Sequence, residues 1–166
     1  MANRIPLVIN SGQVEQLQPG DSISASSVSG NYGEMYIPSG TVKSVSMSGS
    51  SSFSPVNGSF SGGSLNEFVF QSAYQLVCEV AGVYVVNWSM TIAPGSSVPY
   101  IGGFAVNGSA QTNGRAIYNS GTTTESISAS AIVSLNATDI VTLVVASQTN
   151  PSTVNIGPAT ITIYQI

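Results

Sequence analysis

Few side chains in this chain could carry out covalent or metal chemistry, and their spacing brings none of them together. The one thiol, Cys78, lies in QLVCEVAG, where Leu76, Cys78 and Val80 alternate with Gln75, Val77 and Glu79. A catalytic thiolate needs a base, and the chain contains no histidine. Thiol–imidazole pairs, Ser-His-Asp triads and imidazole metal sites are therefore excluded. The alternation marks Cys78 as a small buried hydrophobe in a strand, and a single cysteine allows no disulfide within the chain. The acids are Glu15, Asp21, Glu34, Glu67, Glu79, Glu125 and Asp139, and none forms a D-x-D or E-x-x-E cluster. A carboxylate pair for glycoside hydrolysis thus has no support. Asp139 closes NATD (136–139) ahead of an apolar run, which suits a turn cap better than a calcium ligand. Glu34 has Arg115 and Lys43 as its possible ion-pair partners. The glycines of GSFSGGS and YIGGF precede no Lys-Ser/Thr pair, so they make no phosphate cradle. The expectation is a protein with no catalytic residue, no metal site and no cofactor.

The elements that must position the remaining groups are strands. In AGVYVVNWSMTI (81–92), Tyr84, Val86, Trp88, Met90 and Ile92 occupy alternate positions, with Asn87, Ser89 and Thr91 between them. That period of two predicts one buried face. SISASAIVSL repeats it with Ile127, Ala129, Ala131, Val133 and Leu135. IVTLVVAS places Val141, Leu143 and Val145 on one face, and the closing ATITIYQI sets Ile161 and Ile163 against Thr160, Thr162, Tyr164 and Ile166. Pro94-Gly95, Asn107-Gly108, Asn113-Gly114, Asn150-Pro151 and Gly157-Pro158 punctuate these runs, and Asn-Gly favours the positive φ of tight hairpins. The pattern predicts an antiparallel sandwich or barrel. Upstream, residues 40–66 are rich in Ser and Gly but carry Val42, Val45, Met47, Phe53, Val56 and Phe60. They read as irregular strands and loops covering a sandwich rather than as a linker. GEMYI (33–37) reads as a short first strand.

Composition narrows the partners. Hydrophobic residues make up 42% of the 166 residues, enough for one packed domain with room for an added arm. Charged residues are only 6%, against roughly 25% in ordinary soluble domains. The only cations are Arg4, Lys43 and Arg115, and the net charge is −4. Nucleic acid and anionic membrane surfaces are poor partners for such a chain. The apolar stretch of MANRIPLVIN is too short for a signal peptide, and no run approaches the ~20 residues that span a bilayer. Synthesis in a cytoplasm is the expectation. Residues 1–30 form the expected N-terminal arm and Ser-rich bridge, and 31–166 the globular domain.

The order of GEMYI, AGVYVVNWSMTI, YIGGFAVNGS (100–109), SLNATDIVTLVV (134–145) and TITIYQI resembles TNF/C1q-like jelly rolls over roughly residues 32–166. Such proteins carry a G-x-Y strand, a V-N-G hairpin and an L-x-x-x-D-x-V-x-L hairpin before the last strand. The opening RIPLVINSGQVEQLQPGDSI is similar to N-terminal segments of tailed-phage virion proteins. The first resemblance implies an all-β antiparallel jelly-roll sandwich forming a homotrimer. The second implies a place on the virion, with the major capsid protein or another virion protein as partner.

Ile140, Val141, Leu143, Val144 and Val145 are apolar at both parities, and a strand buried on both faces needs two covers. The opposing sheet supplies one; a sister chain is the expected second. Interface candidates are accordingly Tyr84, Val141, Val144, Tyr164 and Ile166. Arm candidates for anchoring are Arg4, Ile5, Leu7, Val8, Ile9, Val14 and Leu17, which side-chain burial alone cannot order; strand addition to a partner would supply the missing backbone hydrogen bonds. The functional expectation is a capsid decoration (cement or head-fibre) trimer. The alternative is a short tail-fibre or receptor-binding knob whose loops around residues 94–121 touch a host surface. Tyr100, Phe104 and Tyr118 flank the predicted hairpin tips as possible contacts to a host glycan, with core packing the stronger reading.

Overall fold

A computed structural model describes residues 7–10, 13–16, 30–94, 98–119, 121, 123–149 and 152–166, the first two stretches as backbone only. Those stretches are β1 (Leu7–Asn10) and β2 (Gln13–Gln16), an antiparallel pair with Leu7 opposite Gln16 and Ile9 opposite Val14. The Gly- and Ser-rich first half of the domain then supplies β3 (Tyr32–Ile37), β4 (Lys43–Met47), β5 (Ser54–Pro55), β6 (Ser61–Asn66), β7 (Phe68–Gln71) and β8 (Gln75–Cys78). The second half supplies β9 (Gly82–Pro94), β10 (Tyr100–Val106), β11 (Ser109–Ala110), β12 (Ala116–Tyr118), β13 (Glu125–Leu135), β14 (Ile140–Ser147) and β15 (Ser152–Gln165).

These strands form two antiparallel sheets. One runs β13-β9-β15-β3-β6 with β4 beside β15; the other runs β11-β10-β14-β8-β7 with β12 beside β10 and β5 beside β14. Alternation decides what lies between them. Tyr84, Val86, Trp88, Met90 and Ile92 of β9 are buried, as are Ile161 and Ile163 of β15. They meet Leu76, Phe104, Leu143 and Val145 from the other sheet in one continuous core. Val45, Met47, Val56 and Phe60 join that core from the Ser/Gly-rich stretch, while Val42 stays 61% exposed. Trp88 packs between the sheets against β10. A Cβ on Gly102 would lie 2.9 Å from its ring and 2.8 Å from Ile127 Cδ1, so only glycine fits there.

Two turns explain the local chain path. Asn107 and Gly108 have φ of 51° and 79° and join β10 to β11, the pair of positive angles that suits a twisted two-residue hairpin. Gly157-Pro158, expected to separate two strands, instead lies inside β15. The register against β9 shifts between Ile156 and Ala159, so a bulge absorbs the proline that cannot donate to the ladder. The same strand pairs with β4 before the bulge and with β3 after it.

Strand direction gives the sandwich two poles. Gly30 and Asn31, the 79–81 connection, the Asn107-Gly108 turn and Ile166 gather at one. The start of β10, the start of β13 and the end of β9 gather at the other. The loops expected to act together over residues 94–121 are therefore split between opposite poles.

The second face of β14 also departs from expectation. Val144 is 4% exposed within a single chain. Its register partner Gly103 faces Arg115, whose Cγ lies 3.5 Å from a Cβ built there. The Arg115 guanidinium in turn sits 4.6 Å above the Phe53 ring and donates to the Gln111 and Ala110 carbonyls at 2.6 and 3.2 Å. The chain's own Phe53 and Arg115 thus lie over the side where a sister chain was expected.

Candidate interaction surface

The six-stranded sheet turns its other face outward, and the register sorts that face into rows. Tyr164 lies between Tyr32 on β3 and Val85 on β9, and Val85 lies opposite Ile132 on β13. Val83 and Ile166 extend this row toward the pole where the arm begins, joined by Ile166 N–H donating to the Val83 carbonyl at 3.0 Å. Tyr164 is 45%, Ile132 59% and Ile166 66% exposed. The next row is polar: Glu34, Thr162, Asn87 and Ser130. Beyond it come Tyr36, Thr160, Ser89 and Ser128. A shallow cavity of about 250 Å³ lies over these hydroxyl rows, lined by Asn87, Ser89, Ser128, Ser130, Thr160 and Thr162. One end of the face is therefore greasy and the other wet. A contiguous apolar patch rimmed by polar groups is the usual mark of a protein contact.

The root of the arm sits at the greasy end. Gln165 N–H donates to the Asn31 carbonyl at 2.8 Å, and the Asn31 amide donates to Gln165 Oε1 at 2.7 Å. The Asn66 amide reaches the Gly30 carbonyl at 3.4 Å. Beneath them Tyr84 donates its hydroxyl to the Val80 carbonyl at 2.6 Å.

Each residue singled out from the sequence has a definite place. Tyr164 and Ile166 lie on the exposed face. Tyr84 and Val141 are 0% exposed in the chain's own core, and Val144 is covered as described; these three have no area left for a neighbour, which corrects the interface set. Their large size and strand parity suit an interior as well as a contact, so sequence could not separate the two. Tyr32, Val83, Val85 and Ile132 were missed. For Val83 and Val85 the signal was present in AGVYVVNW, whose odd positions are not uniformly polar. Among the anchoring candidates, Leu7, Val8, Ile9 and Val14 fall in the β1–β2 hairpin, while Arg4, Ile5 and Leu17 lie outside the described residues. Tyr100, Phe104 and Tyr118 are buried, so none can meet a glycan. Asp139 accepts Asn136 N–H at 2.8 Å and the Asn107 amide at 2.8 Å, clamping two turns. Glu34 lies against Gly63 and accepts Ser64 N–H at 3.4 Å, away from the arginine and lysine offered to it.

Cys78 is fully buried and donates to the Val80 carbonyl at 3.0 Å. Desolvation by burial, the largest influence, pushes its thiol above the ordinary range. Alkylation at mildly alkaline pH is expected to be negligible in the folded protein and to appear in step with unfolding; rapid labelling of the native chain would contradict this. Because the unfolded thiol ionises first, the group's contribution to stability is intact below the unfolded value and is lost as pH rises toward the folded one.

No protein-family profile matches the chain, and no curated protein matches it in sequence. Solved structures do. The chain is similar to an Eiger TNF from S. frugiperda, with a TM-score of 0.63 and 12% identity over 82% of this chain and 92% of that one. Murine APRIL follows with a TM-score of 0.55 and 10% identity over 80% and 98%. The globular domain of the zebrafish complement 1qA protein gives 0.50 and 14% over 82% and 97%. Two antiparallel sheets in this order, sharing that likeness, define an all-β jelly roll of the TNF/C1q type.

Proposed function

We propose that this chain is a non-enzymatic structural protein of a phage virion, a capsid decoration protein that stands on the particle as a homotrimer and grips it through its N-terminal arm. The observation that carries the reading is the outward-facing apolar row Tyr32–Tyr164–Val85–Ile132, in which Val85 is half-buried, continued by Val83 and Ile166, at the pole where the arm begins. Ile132 lies on β13, the edge strand of its sheet, and β12 beside that edge exposes Ile117. In this reading the edge of one copy packs on the face of the next. Such a head-to-tail contact uses two different patches and closes into a ring. Three arms then leave from one end together and bind with avidity.

The likeness of RIPLVINSGQVEQLQPGDSI to phage virion segments supports the location, with the major capsid protein or another virion protein as the surface gripped. The second reading, a short tail-fibre or receptor-binding knob, keeps the same trimer. It is favoured by the connections after β9 and before β13, which three copies would present together at the pole opposite the arm. Hundreds of copies per particle indicate decoration; a few to a few dozen indicate the tail. Deleting residues 1–23 is expected to leave a soluble trimer that no longer coats particles. Normal coating by the truncated protein would overturn the anchoring role.

A further inference from the structure

Three Asn-Gly steps occur in the chain, at Asn57, Asn107 and Asn113, and the structure treats them differently. The Asn107 amide donates to Asp139 Oδ1 at 2.8 Å while its oxygen accepts Ile140 N–H at 2.9 Å. The Asn113 amide donates to the Ile132 carbonyl at 3.1 Å, and Gly114 is packed so that a Cβ would lie 2.8 Å from that of Ala131. Asn57 is exposed, and among the described residues neither its amide nor the Gly58 N–H has a hydrogen-bond partner. The chain is fixed on both sides, by Val56 N–H on the Leu143 carbonyl at 2.9 Å and Phe60 N–H on the Ala73 carbonyl at 3.2 Å. Between those anchors Gly58, with φ of +77°, has the Lys43 ammonium as its near neighbour, 3.6 Å from where a Cβ would be.

We infer that Asn57-Gly58 is a site of spontaneous self-modification, a deamidation that converts Asn57 to aspartate or isoaspartate. The Gly58 backbone nitrogen, losing its proton to hydroxide, attacks Asn57 Cγ. The new C–N bond closes a succinimide, and the side-chain nitrogen leaves as ammonia. Water then adds to either ring carbonyl and opens the ring, so the net change is amide plus water to acid plus ammonia. Glycine matters because no Cβ shields the attacking nitrogen. Lys43 acts as a positioning residue, its positive charge favouring the anionic nitrogen and the oxyanion that forms on Cγ. The product carboxylate lies beside the same ammonium, and each chain becomes one charge more negative than −4.

The test incubates the full-length protein at mildly alkaline pH and follows each Asn-Gly peptide by mass spectrometry, with an isoaspartate-specific methyltransferase reading the product. Asn57 is expected to convert about tenfold or more faster than Asn107 or Asn113, whose amides must first leave their partners. Conversion of Asn107 or Asn113 at the rate of Asn57 would overturn the site. Gly58→Ala is expected to suppress the conversion. Lys43→Gln is expected to slow it and Lys43→Arg to restore it at unchanged thermal stability. If Lys43→Gln ages at the parent rate, the role given to Lys43 is wrong.

Discussion

Tyr164→Asp is expected to turn the proposed trimer into a folded monomer. Tyr164 stands in the centre of the apolar row, flanked in register by Tyr32 and Val85, and is 45% exposed in the isolated chain. Its side chain points away from the core, so the substitution leaves Ile161 and Ile163 untouched and the sandwich intact. In the proposed ring the same position is covered. A carboxylate there is buried without a cation, because no Lys or Arg lies on these rows, and an unpaired buried charge costs several kcal/mol. Threefold repetition multiplies the penalty. The dissociation constant should weaken by at least about a hundredfold, read by sedimentation, with circular dichroism unchanged. Val42→Asp is the control: Val42 is exposed in the loop before β4 and lies off the face, so its substitution should leave assembly alone. An intact oligomer in the Tyr164→Asp protein would remove this face from the contact.

Trp88→Ala should produce the largest loss of stability among single core changes. Trp88 is 3% exposed and sits under Gly102 with Ile127 and Met90. Its indole N–H donates to the Gly114 carbonyl at 2.7 Å, which ties the loop before β12 to the other sheet. Truncation removes the ring, opens a cavity between the sheets and leaves that carbonyl unpaired. Losses of this kind cost about 3–5 kcal/mol, or roughly 6–20 °C in melting temperature for a domain of this size. Trp88→Phe should fall between, restoring most of the volume but not the hydrogen bond. A near-neutral Trp88→Ala would mean the two sheets are not joined through this side chain.

Much of the fold was legible because period two is a strong signal when one face is dry. β9, β13 and β15 all follow their alternation, and Asn107-Gly108 closes the hairpin its residues favour. Gly157-Pro158 misled because a bulge and a turn use the same residues; only the partner strands decide between them. The interaction surface was half legible. Tyr164 and Ile166 stood out as apolar residues on a polar face. Val141 and Val144 did not belong with them: Val141 lies in the core between the sheets, and Phe53 and Arg115 cover the Val144 side of β14 from far away in sequence, a tertiary cover that no local pattern announces. The carboxyl–amide clamp of Asp139 and Asn107 was foreseen for Asp139 alone, because its partner arrives from another hairpin.

The most direct test of the central claim is the mass of the full-length protein in solution at micromolar concentration, by sedimentation equilibrium. A face shared between sister chains predicts a single species of three times 17.0 kDa that persists on dilution. A species of 17.0 kDa, with Tyr164 and Ile166 freely reached by solvent, would contradict it.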